Sequence, residues 1–173
     1  MKKLIIIAAI ALCGAFAQAA SVNWSANAIQ SSPKTTVGAG WLAQVFLADV
    51  TYSYEQAKSD KITAWQSGNT VAAGSTFRVM GTGTQDNGTT QSYYMVIYDA
   101  ATVADAKYYI VSDVVSVTIN ESGTTGVLPF GAMSATTTAN KFLNSEWQAV
   151  PEPTTGLLLL LGMAGLALRR KQA

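Results

Sequence analysis

The stretch Val22-Asn23-Trp24-Ser25-Ala26-Asn27-Ala28 alternates apolar and polar side chains without a break. A period of two places every second side chain on one face, as in a strand with a core on one side and water on the other. Working outward, Trp41 to Ala48 is apolar apart from Gln44 and reads as a strand covered on both faces. Thr76–Met80, Tyr93–Tyr98 and Lys107–Val111 read as further strands. In the next one, Val115, Val117 and Ile119 share a face opposite Ser116 and Thr118. Turn residues stand between these runs: Gly81 to Thr90, with Asp86-Asn87-Gly88 inside it, and Glu121 to Gly126.

One helix is expected. Ser53-x-x-Gln56 resembles a capping box, and Tyr54, Ala57, Ile62 and Trp65 form a broad apolar face before Gly68-Asn69. In the connection from Asp99 to Ala106, Thr102 and Asp105 are spaced as a cap over a single turn. About seven short strands without a strand–helix–strand rhythm predict a mainly β domain: an antiparallel β-sandwich or barrel-like fold with one short helix.

The composition separates this domain from the two ends of the chain. Nine of the 13 leucines lie in residues 1–19 and 151–173, whereas residues 20–150 hold 31 serines and threonines. That middle segment carries 6 Lys or Arg and 9 Asp or Glu, a net charge of −3, with the cations scattered along the sequence. A nucleic-acid partner is not expected, because the cationic surface that dominates such binding is missing. The chain has no histidine. That excludes Ser-His-Asp triads, Cys-His nucleophiles and Cys₂His₂-type zinc sites.

The remaining chemistry is thin. Asp49, Asp60, Asp99, Asp105 and Asp113 are the carboxylates to weigh for hydrolysis, and each also sits where turns favour aspartate. Gly81-Thr82-Gly83-Thr84 lacks the Gly-Lys-Thr of a phosphate loop and is expected to be a glycine-hinged hairpin loop. Asp86-Asn87-Gly88 offers oxygen ligands without the spacing or closing glutamate of a calcium loop, so an ordinary turn is expected. No cofactor is implied. Trp41, Trp65, Tyr93, Tyr94, Tyr108 and Tyr109 are candidate surfaces for stacking on sugar rings, with core packing as the competing use. Tyr93/Tyr94 and Tyr108/Tyr109 are adjacent pairs, so one member of each is expected to face away from the other, toward solvent.

The ends read as address labels. Lys2 and Lys3 precede the apolar run Leu4 to Leu12, and Ala17-Gln18-Ala19 has the small-x-small form of a cleavage site. Residues 1–19 therefore read as a signal peptide cut after Ala19, which implies the Sec translocon as a partner. Nine apolar residues reach only about 14 Å, too short to span a bilayer. At the other end, Val150-Pro151-Glu152-Pro153-Thr154-Thr155 leads into an apolar and glycine run, Gly156 to Leu168, closed by Arg169-Arg170-Lys171. The prolines keep a helix from extending upstream, and the cations form a cytoplasmic stop. Residues 154–168 read as a short transmembrane helix of about 22 Å, suited to temporary retention.

Pro-Glu-Pro, an apolar helix and an Arg-Arg-Lys stop, in that order, resemble the PEP-CTERM sorting signal of Gram-negative bacteria. The resemblance covers residues 150–171. It implies recognition of Pro151, Glu152 and Pro153 by exosortase, an integral-membrane transpeptidase-like enzyme that removes the helix. It further implies passage outward to the cell surface or an exopolysaccharide matrix. The expected layout is a signal peptide over 1–19, an extracytoplasmic β-rich domain over 20–149 and the sorting signal over 150–171. The precursor would be held in the inner membrane, and the mature domain would be a non-enzymatic surface or matrix protein that could associate with exopolysaccharide.

Overall fold

A computed structural model describes residues 18–151. These fold as β1 (Ala19–Asn27), β2 (Leu42–Leu47), α1 (Tyr54–Lys58), β3 (Gln66–Asn69), β4 (Val71–Ala73), β5 (Thr76–Asp86), β6 (Thr90–Tyr98), β7 (Tyr108–Val111), β8 (Val115–Thr118), β9 (Gly126–Ala132) and β10 (Gln148–Ala149). One sheet runs β4-β5-β1-β9; the other runs β10-β7-β6-β2-β3, with β8 also paired to β6. Neither sheet closes on itself, and both contribute side chains to one core, an arrangement consistent with a β-sandwich.

The period of two in β1 is obeyed. Ala20, Val22, Trp24 and Ala26 are buried, while Ser21, Asn23 and Asn27 face water. Their partners across the core are Ala43 and Val45 of β2, Tyr93, Met95 and Ile97 of β6, and Leu128 and Phe130 of β9. Strand β6 is apolar on both faces for a different reason. Its even-numbered residues Tyr94, Val96 and Tyr98 enter a second cluster with Phe46, Tyr54 and Ala106, roofed by Val50, Tyr52, Ile62 and Val103. That outer layer is tyrosine-rich, and its hydroxyls find partners at its rim. Tyr98 donates to Gln44 Oε1 at 2.9 Å, Tyr94 to the Val50 carbonyl at 2.8 Å and Tyr54 to the Val103 carbonyl at 2.7 Å.

Three expectations are corrected. The helix stops at Lys58, and Gln66–Asn69 is a strand paired antiparallel with β2. Tyr54 and Ile62 pack into the tyrosine layer whereas Trp65 packs on the inter-sheet core, so these residues never share one helical face. Ser53 gives no side-chain cap, and Asp60 takes a φ of 54° just past the helix end. Second, Gly81-Thr82-Gly83-Thr84 lies inside β5, not in a loop. A Cβ at Gly81 would overlap the Trp24 ring, and one at Gly83 would overlap the Trp65 ring. These glycines let two indoles lie flat against a strand; they do not turn the chain. Third, the pairing is not wholly antiparallel, because β1 runs parallel to β9.

Candidate functional site

The described chain ends on a small, well-anchored junction. Strand β10 pairs with β7, Gln148 opposite Tyr109 and Ala149 opposite Tyr108, at the edge of the second sheet. One residue later, the Val150 amide still donates to the Lys107 carbonyl at 2.9 Å. The Tyr109 hydroxyl donates to Gln148 Oε1 at 2.7 Å. Just upstream, the Trp147 ring meets Trp41 edge-on, with centroids 5.8 Å apart at 82°. Pro151 is exposed and has no N–H, so the ladder cannot continue through it. Pro151, the first residue of Pro-Glu-Pro, thus follows the last strand with no intervening linker.

Residues 149–171 match the family model of the PEP-CTERM protein-sorting motif. The motif implies exosortase-dependent sorting of an extracellular protein by way of an exported, membrane-anchored precursor. No curated protein and no solved structure matches the chain. Of the PEP-CTERM residues, Pro151 lies at the surface; Glu152, Pro153, Arg169, Arg170 and Lys171 lie outside the described residues, as does the span read at 154–168. Among the described residues no helix is long and apolar enough to cross a membrane. At the other end Ala17 lies outside the described residues, and Ala19 opens β1 opposite Asp86.

The aromatic candidates divide sharply. Trp41, Tyr93 and Tyr94 are buried, so their rings serve packing and are closed to a ligand. The expectation that one of Tyr93 and Tyr94 faces solvent fails because β6 is covered on both sides. Trp65, Tyr108 and Tyr109 are half-buried. The Trp65 ring stands 4.6 Å from that of Tyr93, and its Nε1 donates to the Thr84 carbonyl at 3.2 Å. Tyr109 stacks on Tyr54 in the tyrosine layer, far from a shared platform with Trp65.

Burial raises the phenol pKa of Tyr52, Tyr54, Tyr93, Tyr94, Tyr98 and Tyr109 above the usual 10.0, because an apolar setting disfavours phenolate. For Tyr93 and Tyr94 it reaches about 12; in Tyr94 the nearby Asp49 charge adds to desolvation. In Tyr52, where burial is again the main cause, the neighbouring Tyr98 adds to it; their hydroxyls are 3.1 Å apart.

The aspartates are spread out. Asp60 lines one cavity and Asp49 another. Asp99 is buried and its carboxylate is occupied: it accepts from the Lys107 amide at 2.8 Å, the Tyr108 amide at 2.9 Å and the Ser32 hydroxyl at 3.0 Å. Asp105 accepts from the Thr102 hydroxyl at 2.7 Å, and its amide donates back at 3.2 Å, the reciprocal cap expected from their spacing. Asp86 and Asn87 lie at the β5–β6 turn, where Gly88 takes a φ of 72°. Sequence reasoning missed the role of Asp99 as a clamp on two distant segments, since nothing local marks it.

Proposed function

We propose that this chain is a non-enzymatic exported protein of the cell surface or extracellular matrix. It is held briefly in the inner membrane by residues 154–168 and sorted by exosortase through Pro151, Glu152 and Pro153. The observation that carries the reading is the sorting motif set directly on the last strand of a β domain whose aspartates are dispersed and largely engaged in turns. Residues 1–19 would route the chain through the Sec translocon, with cleavage between Ala19 and Ala20. Because Ala19 and Ala20 both pair with β5, that cut belongs to the unfolded chain, before β1 is seated.

Replacing Pro151, Glu152 and Pro153 together by alanine should make the helix-bearing form accumulate in the inner-membrane fraction. Intact mass of the released protein checks the other side. A mature form that still carries residues 154–173 in a strain with active exosortase would refute the processing step. Association with exopolysaccharide is a second reading, narrowed to Trp65, Tyr108 and Tyr109 because these remain partly exposed. Pull-down on native exopolysaccharide, weakened by alanine at Trp65 or Tyr108, would support it.

A further inference from the structure

Half of the cations in the middle domain gather at one place. Of the 6 in residues 20–150, Lys34, Lys58 and Lys107 all line a single cavity of about 640 Å³. Tyr54, Tyr108 and Pro151 line the same cavity, and no carboxylate is among its described lining residues. The scatter of these lysines along the sequence is therefore undone by the fold.

The gathering is built rather than incidental. Lys34 comes from the β1–β2 connection, Lys58 is the last residue of α1, and Lys107 directly precedes β7. The buried Asp99 carboxylate ties two of these segments together, through the Ser32 hydroxyl on one side and the Lys107 and Tyr108 amides on the other. The third is fixed where the Tyr54 hydroxyl donates to the Val103 carbonyl at 2.7 Å. Two ammonium groups lie over aromatic rings, Lys34 Nζ 6.0 Å from the Tyr108 centroid and Lys58 Nζ 5.9 Å from that of Tyr54. Glu55 and Asp105 are on the same elements but outside the lining, and Asp105 is engaged by Thr102.

The position of the cavity says what it meets. Pro151 is on its rim, and the apolar run read as membrane-inserted begins at Thr154. From Pro151 to Thr154 is three residue steps, at most about 11 Å when extended. The headgroup zone of a bilayer is roughly 5–7 Å deep on each side. An anchored precursor therefore holds this cavity within or a few ångströms above the headgroup zone. We infer that the Lys34–Lys58–Lys107 cavity binds the anionic phosphates of membrane phospholipids while the sorting signal is attached. This rests on the reading of residues 154–168 as membrane-inserted. Each lysine near an anionic surface strengthens association by about fivefold, so three give on the order of a hundredfold. That is enough to orient a tethered domain and weak enough to let it go once cleavage removes the tether.

The test uses the full-length precursor in vesicles of phosphatidylcholine alone, or with about one-third phosphatidylglycerol. Hydrogen exchange is read at the amides of residues 32, 34–36 and 104–108. Phosphatidylglycerol should slow exchange there by roughly tenfold or more, less than the full association because docking is partial. High salt should abolish the effect. The variant Lys34→Gln/Lys58→Gln/Lys107→Gln should lose it, and the charge-matched Lys61→Gln/Arg78→Gln/Lys141→Gln should keep it. All three cavity lysines are exposed, so the first variant should fold, as circular dichroism would verify. Equal exchange in both lipids, or equal behaviour of the two variants, overturns the inference. Protection by soluble polygalacturonate but not by phosphatidylglycerol also overturns it, assigning the cavity to acidic glycans. Extraction of the precursor from both vesicle types by alkaline carbonate would instead overturn the anchoring itself.

Discussion

The two ends of the folded domain are built to opposite specifications. At the start, β1 is a nine-residue interior strand, paired with β5 from Ala19 to Ala26 and with β9 from Val22 to Asn27. At the finish, β10 is a two-residue edge strand paired only with β7. Yet each adjoins a segment read as a removable label. A cut after Ala19 would have to precede folding, because afterwards both flanking residues are paired in the β1–β5 ladder. A cut at the second would fall beyond an exposed proline that ends the pairing, so the folded body need not open. The difference shows that position in a sheet, more than nearness to a terminus, sets when a label can be removed.

Mutations can break this contrast, and the largest effect belongs to the first end. Trp24→Ala should cost about 3–5 kcal/mol, near the lower value because the buried indole N–H has no partner to lose. Denaturant titration with a global unfolding signal checks it. Gly81→Ala, which drives a methyl into that ring, should cost about 1–3 kcal/mol by the same measurement. Trp147→Ala should cost only about 1–2 kcal/mol, since its ring is half-buried against Trp41. Its signature is local: amides of Gln148 to Val150 should exchange faster while those of β1 stay protected. A global loss as large as that of Trp24→Ala would erase the contrast. The smallest effect on stability is expected from the Pro-Glu-Pro to alanine change, within about 0.5 kcal/mol, despite its effect on processing.

Alkali probes the tyrosine layer beside the second end. Its phenols have folded pKa values raised above the unfolded 10.0, so the folded state holds their protons more tightly. The stability they contribute is complete below pH 10 and is lost as pH rises from there through about 12, the value for Tyr94. Tyrosinate absorbance should lag behind free tyrosine and rise together with loss of the near-ultraviolet circular dichroism signal. Ionisation of all these phenols near pH 10 with the tertiary signal intact would contradict the burial described.

Much of the fold was legible because its strands obey a simple period. Val22–Ala28, Tyr93–Tyr98 and Val115–Ile119 all announce themselves, since burial on one face or two leaves a pattern in hydrophobicity. Strand β9 was not legible: Gly126, Pro129 and Gly131 break its composition, and Pro129 is tolerated because β9 is a sheet edge. Gly81 and Gly83 misled because the reason for them lies in indoles from other elements. The sorting motif was fully legible, being a linear signal. The lysine cavity was invisible, because three cations far apart in sequence meet only through the buried carboxylate of Asp99 and the Tyr54–Val103 hydrogen bond.

The parallel pairing of β1 with β9 has a kinetic consequence. Val22 must find Gly83 and then Gly126, contacts of high sequence separation whose loop-closure entropy is spent before any ladder forms. On the reading of residues 1–19 as an export signal, the segment that would leave the channel first is among the last to be seated, and folding should be slow, with high contact order. A chain still held at the membrane by its other end gains time to complete that search before it is released.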